Sequence, residues 1–433
     1  MAPTRGRPMS RRAELSLLAA LFAPLALGAQ APGGAAPAII VSATGAVRTV
    51  GEAIRLAPAG ARIVIKPGTY REGTIDVDRA VTIVGEGWPV LDGEGARQIM
   101  SIRADSVTVR GLVFRNVGTS FVEDRAAVKV VNAGDCVIED NRIERAFFGI
   151  YLAGVSGCRI ARNVLTASRG SEAASGNGIH LWSSRSVTIE ENRVSGHRDG
   201  IYLEFARDVR VRRNVSERNV RYGLHFMYAD DCTYVGNEFR SNLAGVAVMY
   251  TKRVEMIGNR FEDNWGSASY GLLLKEIADA RIEGNRFSRN TVALLADGAA
   301  RIVAVDNDFV SNGWAIKLLA STYDGRFERN DFVGNTFDVA ANSLEGNNRF
   351  RANYFDAYRG YDLDRDGFGD VSHRPVRLFS VLVERNAPAV VLLRSFFVDL
   401  LDAAERVLPA LTPATLEDER PAMRPNRAPE SRS

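Results

Sequence analysis

The sequence predicts an all-β chain, a right-handed single-stranded parallel β-helix, from three observations. The first is a file of asparagines: Asn141, Asn163, Asn192, Asn214, Asn237, Asn259, Asn285, Asn307 and Asn330, spaced by 22, 29, 22, 23, 22, 26, 22 and 23 residues. A unit this short, rich in β-branched residues and without helical periodicity, is one coil of a solenoid. The second is that from Asn237 onward Phe follows at +2 and Asn at +5, as in Asn259, Phe261 and Asn264. The third is a small residue about 14 positions before each asparagine from Asn163 to Asn307: Gly149, Gly178, Gly200, Gly223, Gly245, Gly271 and Ala293.

Stacked coils rise about 4.8 Å each, so equivalent positions form columns. The asparagine column is then an internal ladder, each side-chain amide bonding to the next coil and satisfying polar groups at a turn. That role is structural, as is core stacking of the Phe column. Cys136, Cys158 and Cys232 each stand five residues before a ladder asparagine, where Val187, Val209 and Val254 stand elsewhere. They read as small core residues. Cys136 and Cys158, one coil apart, are near enough to bridge. Cys232 is three coils from Cys158, about 14 Å, and cannot reach it.

Residues 1–31 read as an export signal. Arg5, Arg7, Arg11 and Arg12 precede an apolar run from Leu15 to Ala29, and Ala29-Gln30-Ala31 is an A-x-A cleavage site. Ser10-Arg11-Arg12 begins a twin-arginine pattern that Glu14 interrupts. Neither this run nor any later one is long enough to span a membrane, so a periplasmic protein without its own transmembrane helix is expected. Residues 38–353 hold the β-helix, opened by a helix over Val47 to Ala57 that plugs the core. About twelve or thirteen coils follow, a rod of order 60 Å. Two coils are enlarged, at Ser168 to Gly176 and at Trp265 to Tyr270. Both insertions emerge on one edge and flank three coils of normal length, as insertions that border a binding surface do.

Alternate side chains of the strand after each small residue point inward and outward. Pairs such as Ile201 and Leu203 or Leu224 and Phe226 supply the core. The outward positions make two columns: Tyr151, His180, Tyr202, His225, Ala247, Leu273, and Ala153, Trp182, Glu204, Met227, Met249, Lys275. Solvent-facing positions of such strands ordinarily hold small polar or charged residues, so this strip needs another reason. Met227 and Met249 share a column on consecutive coils, about 4.8 Å between Cα atoms, and His225 lies about 7 Å from Met227 along the strand. Two thioethers and an imidazole form a soft site that suits Cu(I) better than Zn(II) or hard cations. His180, two coils and about 10 Å away, is placed as a relay. Tyr228 and Tyr250 join Trp182, Tyr202, Glu204 and Lys275 in the same binding face. A protein-docking patch, with Met chosen for adaptability, and a sugar groove fit the same strip. Met256 falls at an inward position, and His197 takes a turn position held by Asn elsewhere.

Residues 354–380 read as an acidic loop and cap. Asp362, Asp364, Asp366 and Asp370 occupy positions 1, 3, 5 and 9 of a D-x-D-x-D-G loop, the start of a Ca²⁺ site, but His373 stands at position 12, where a bidentate Glu belongs. A turn-rich acidic cap is the alternative. Residues 387–409 turn helical, with Ser395, Asp399, Asp402 and Arg406 opposite a wide apolar face that includes Phe396, Phe397, Leu400 and Leu401. That face either plugs the solenoid or docks on another protein. Residues 410–433, polar and Pro/Arg-rich, read as disordered. The net charge is +3, with only five Lys, and no basic stripe alternates with aromatics, which argues against nucleic acid.

On these residues the chain resembles the NosD family of nitrous oxide reductase maturation proteins. The segments that carry the resemblance are Tyr222-Gly223-Leu224-His225-Phe226-Met227-Tyr228, Ala244-Gly245-Val246-Ala247-Val248-Met249-Tyr250 and Tyr270-Gly271-Leu272-Leu273-Leu274-Lys275-Glu276, with Tyr354 to Asp362 leading into the acidic loop. The bare repeat is shared by many pectate-lyase-like β-helix proteins; the Met/His strands with this tail are specific. The resemblance implies a periplasmic, non-enzymatic protein associated at the membrane with an ABC permease and its ATPase. It implies handling of copper, and sulfur as a further cargo, in assembling the copper–sulfide centre of nitrous oxide reductase, with a lipoprotein copper chaperone as another partner. It also gives the helix over 387–409 a role in docking on the permease. The ligand set His225, Met227 and Met249 comes from the columns alone.

The rival class is a polysaccharide-active enzyme on the same fold. Such sites need clustered carboxylates, or Ca²⁺ with an Arg or Lys base. The columns offer Glu204 and Lys275, three coils apart and without a paired acid. A metal-free scaffold that presents the strip to the reductase is the third reading.

Overall fold

Each coil gives one strand to each of three parallel sheets, which hold 14, 12 and 13 strands and stack consecutive coils in register. This is the β-helix that the repeat predicts. The computed structural model describes residues 38–407 and 416–427, apart from residues 121, 169, 320, 343–346 and 394. The export-signal reading over residues 1–31 lies outside the described residues.

The asparagine ladder explains why the period is kept. The backbone N–H and side-chain Nδ2 of Asn237 both donate to Oδ1 of Asn259, at 2.9 and 3.0 Å, and Asn237 Nδ2 also donates to the carbonyl of Val211. The same pattern recurs from Asn141 to Asn353, and a second ladder runs through Asn219, Asn242, Asn264, Asn290, Asn312 and Asn335. All of these turn amides would otherwise be buried without partners. The phenylalanines stack beside them, with centroids of Phe261, Phe287, Phe309 and Phe332 separated by 4.6, 4.9 and 5.1 Å.

The arginine excess has a local cause. Arg162, Arg289, Arg301 and Arg329 sit at turns with φ of 51–53°, and each forks onto an aspartate one coil earlier: Asp140, Asp263, Asp279 and Asp306. Two parallel N–H donors suit a guanidinium, and an ammonium cannot copy them.

At the N-terminal end, α1 (Val50–Leu56) is capped by Thr49, whose hydroxyl accepts from Glu52 N, and it buries Val50, Ala53 and Ile54 over the open coil. Strand Ile39–Val41 pairs with Ala61–Ile65.

Three expectations need correction. Cys136 and Cys158 are joined in a disulfide, with Cα atoms 4.5 Å apart, rather than standing as separate thiols; adjacent coils in register bring equivalent side chains together. Cys232 is free and buried, as read. The helix expected over 387–409 is a 3-10 turn (Ala387–Leu392) followed by α3 (Phe396–Val407), and a further helix, α2 (Leu378–Arg385), precedes it. Pro388, which cannot donate a backbone hydrogen bond, separates the 3-10 turn from α2. Finally, residues 416–427 are not a disordered tail. Asp418 accepts from the backbone N–H and Nδ2 of Asn353, at 2.9 and 2.8 Å, and bridges to Phe350 and His373. Its carboxylate supplies the oxygen that the next ladder asparagine would supply, and so ends the ladder. No described helix is long and apolar enough to cross a membrane.

Candidate functional site

The two outward columns form on the 12-stranded sheet. Tyr151, His180, Tyr202, His225, Ala247 and Leu273 are register partners in turn, as are Ala153, Trp182, Glu204, Met227, Met249 and Lys275.

The first column differs from the expectation of a solvent-facing file. Tyr151, His180, Tyr202 and His225 are all buried, at 8, 8, 8 and 5% exposure. Their rings pack on one another, with centroids 4.7, 4.7 and 4.8 Å apart, so each covers its neighbour. Phe148 closes the His180 side at 5.5 Å and Tyr222 the His225 side at 4.8 Å. Burial, and then the charge of Arg198, push the pKa of His180 down to about 3, so its imidazole is neutral. His180 Nδ1 meets Asn177 Nδ2 at 3.2 Å, and its Nε2 has no hydrogen-bond partner.

The two insertions converge on His225 from opposite ends. In the first, Glu172 accepts from Arg221 Nη1 at 3.2 Å. The second leads into Tyr270, whose hydroxyl lies 3.4 Å from that of Tyr222. Arg221 and Tyr222 are therefore held in place by both loops, with the guanidinium 4.8 Å over the Tyr222 ring.

Asp199 stands behind them, fully buried. It accepts from Arg221 Nε and Nη2 at 2.9 and 2.5 Å and from Tyr222 N at 3.3 Å. Its Oδ2 lies 3.6 Å from His225 Nδ1. Burial alone would raise this carboxyl, but hydrogen bonding and charge from Arg221, then His225, hold it below the ordinary carboxylate range. Both ring nitrogens of His225 are buried and, among the described residues, neither has a hydrogen-bond partner. Asp199 and Arg221 were not singled out in the sequence, yet their spacing of 22 residues is one coil, the separation that places two side chains side by side.

The second column is the open one. Trp182 is 45% exposed, while Glu204, Met227, Met249 and Lys275 are half-buried. Tyr202 Oη donates to Met227 Sδ at 3.5 Å, and Lys275 pairs with Asp297 at 3.6 Å. Toward the N-terminal coils the face opens into a groove of about 1010 Å³, lined among others by Arg103, Asp124, Lys129, His180, Trp182 and Glu204. Beside Met227 and Met249 the next residues, Tyr228 and Tyr250, stack with Phe205 in an exposed ladder with centroids 5.2 Å apart. Phe205 is a further residue that sequence reasoning passed over, again one coil from its neighbour. All three hold φ of 51–54°, a region that costs an aromatic residue roughly 1–2 kcal/mol.

The other candidate residues lie apart from this face. Ligand oxygens of Asp362, Asp364 and Asp366 come within 4.8 Å of one another. Asp370 is turned to the backbone N–H of Leu363 at 2.6 Å, and Asp366 pairs with Arg420. His373 packs its ring 4.4 Å from Phe355 and so leaves position 12 of the loop without a ligand. On α3, Phe396, Phe397 and Leu400 are exposed, whereas Leu401 packs against the cluster of Phe337, Phe379 and Val383. The amphipathic segment thus both covers the solenoid end and leaves an apolar edge free.

Chemically, the face offers two imidazoles, that of His180 neutral, two neighbouring thioethers, and the carboxylates of Glu204 and Asp124 along the groove.

Residues 166–360, which contain both insertions and every Met and His of the two columns, match the family described as periplasmic copper-binding protein (NosD). A protein of Pseudomonas aeruginosa named probable ABC transporter binding protein NosD is 28% identical over 371 residues, covering 81% of this chain and 86% of that protein. Its namesake from Stutzerimonas stutzeri is 26% identical over 413 residues, covering 90% and 94%. The chain is similar to NosD proteins over most of its length. Among solved structures, the Dettilon tailspike protein superposes with a TM-score of 0.54 at 13% identity, over 69% of this chain and 65% of that one. The catalytic domain of a GH87 alpha-1,3-glucanase in complex with tetrasaccharides gives 0.50 at 13% identity, over 74% and 69%. These two likenesses establish the solenoid for this chain and nothing about its chemistry.

Proposed function

We propose that this protein is the periplasmic accessory protein of an ABC transporter system, and that it holds Cu(I) in transit at Met227, Met249 and His225. The observation that carries this reading is the pairing of Met227 with Met249 on adjacent strands, beside a buried His225 whose ring nitrogens have no hydrogen-bond partner among the described residues. Thioether and imidazole donors favour Cu(I) over hard cations, and the family description and the names of both relatives agree with copper and with a transporter. In this reading the metal is cargo, passed by ligand exchange toward the copper–sulfide centre of nitrous oxide reductase, with sulfur as a further cargo. A lipoprotein copper chaperone delivers it. The permease takes the exposed edge of α3 at Phe396, Phe397 and Leu400, which brings the protein to the membrane, and the ATPase drives the cycle. The aspartates at 362, 364, 366 and 370 are the candidate Ca²⁺ oxygens, with Arg420 neutralising Asp366. The family description and the relatives' names, which speak of binding, favour a non-enzymatic role over a polysaccharide-active one.

The test is an anaerobic Cu(I) titration of the mature protein against a competing chelator, beside Met227→Ala and Met249→Ala. Stoichiometric binding that weakens in both folded variants is the expected result. Failure of the wild type to compete, or binding untouched by both changes, overturns the copper reading and leaves the strip as a docking surface.

A further inference from the structure

His225 is a ligand candidate whose two ring nitrogens face different surroundings. Both nitrogens are buried and, among the described residues, neither has a hydrogen-bond partner; they differ in that Nδ1 faces the carboxylate of Asp199, 3.6 Å away and within ion-pair reach. A carboxylate accepts and never donates when ionised, so the imidazole nitrogen turned toward it carries the proton and the other is bare. Asp199 cannot turn away. Its two oxygens are engaged by Arg221 Nε and Nη2, and Arg221 is itself tied to Glu172 of the first insertion.

We infer that Asp199, clamped by Arg221, is a positioning residue that keeps the proton of His225 on Nδ1 and leaves Nε2 as the donor atom for the metal cargo. A carboxylate behind a ligating imidazole fixes ring orientation and raises its basicity. The inference deepens the copper reading, but the tautomer itself is a property of the metal-free chain. It also gives the first insertion a purpose: Glu172 braces Arg221, Arg221 braces Asp199, and Asp199 orients His225.

The experiment is a long-range ¹H–¹⁵N correlation spectrum of the metal-free mature protein with ¹⁵N-labelled histidine, at about pH 8, above the ordinary imidazole range. The chain has four histidines, and His225→Gln assigns the signal. The Nδ1–H form of His225 is expected in the wild type. In Asp199→Asn the single amide oxygen stays where Arg221 Nε and Tyr222 N converge, so the NH₂ faces Nδ1 and the ring shifts to the Nε2–H form. Cu(I) affinity then falls about 10–100-fold, with thermal unfolding showing that the variant is folded. An Nε2–H imidazole in the wild type, or an unchanged tautomer in folded Asp199→Asn, overturns the inference. The wild-type spectrum decides even if the variant does not fold. A wild-type Nδ1–H form in a protein that takes up no Cu(I) sinks the copper reading while supporting the positioning of His225.

Discussion

The hydroxyl of Tyr202 donates to the sulfur of Met227 across 3.5 Å while its ring lies between those of His180 and His225, 4.7 and 4.8 Å away. One side chain thus touches a thioether and an imidazole of the candidate site and links both to the second histidine. Tyr202→Phe keeps the stack and removes the hydroxyl. We expect a folded protein whose Cu(I) binding is weakened by about 1 kcal/mol, the worth of one ordinary hydrogen bond, through loss of the Met227 rotamer. Unchanged affinity in the chelator competition would show that the hydroxyl does not orient Met227.

The ladder gives a stability prediction away from the site. Asn259 accepts from Asn237 N and Nδ2 and donates to Tyr234 O and Asn285 Oδ1. Asn259→Ala strands several buried partners, each costing about 1–3 kcal/mol, so a loss of at least about 3 kcal/mol is expected from the urea unfolding midpoint. A change below about 1 kcal/mol contradicts the ladder as a stabilising device.

How much of this was legible in the sequence follows from how the fold is built. The period and the strand alternation put Met227 beside Met249 and His180 in the file of His225, because register in a solenoid is simple counting. Burial was not legible. A single outward strand position does not say whether its ring is wet, and Tyr151, His180, Tyr202 and His225 are dry because they stack and because Tyr222 and Phe148 close the ends. Asp199 and Arg221 were within reach of the same counting, one coil apart, but both stand outside the two outward columns. Asp418 was hidden by composition: a polar tail reads as disordered unless the unpaired end of the ladder is seen to need a carboxylate.

Acid sensitivity follows from three histidines. The folded pKa is about 3 for His180, lowered by burial and by Arg198, about 4 for His197, lowered by burial, and about 4 for His373, lowered by burial and by Arg377. Unfolding returns all three toward the ordinary value near 6.5. Between about pH 6.5 and 4 the unfolded chain therefore binds more protons, so stability is full above about 6.5 and falls as pH drops, by roughly 1.4 kcal/mol per unit for each histidine. His197→Asn, at a position that continues the file of Asn219 and Asn242, should raise the urea midpoint at pH 5 and remove about a third of this slope. An equal slope in the variant would rule out His197 as a source.

Reduction should matter as well. The disulfide between Cys136 and Cys158 closes a separation of 22 residues, a loop worth about 3 kcal/mol. Thiol titration of the denatured, unreduced protein should count one group, Cys232, and three after reduction, with a lower unfolding midpoint in the reduced protein. Three thiols without reductant would contradict the bridge.

The central claim concerns what surrounds the metal. Copper K-edge X-ray absorption of the Cu(I)-loaded mature protein reads it directly. Two sulfur neighbours and one imidazole are predicted, falling to one sulfur in Met227→Ala and again in Met249→Ala. A shell of oxygen and nitrogen alone, or a sulfur count unchanged in both variants, would place the copper elsewhere and contradict the site at Met227, Met249 and His225.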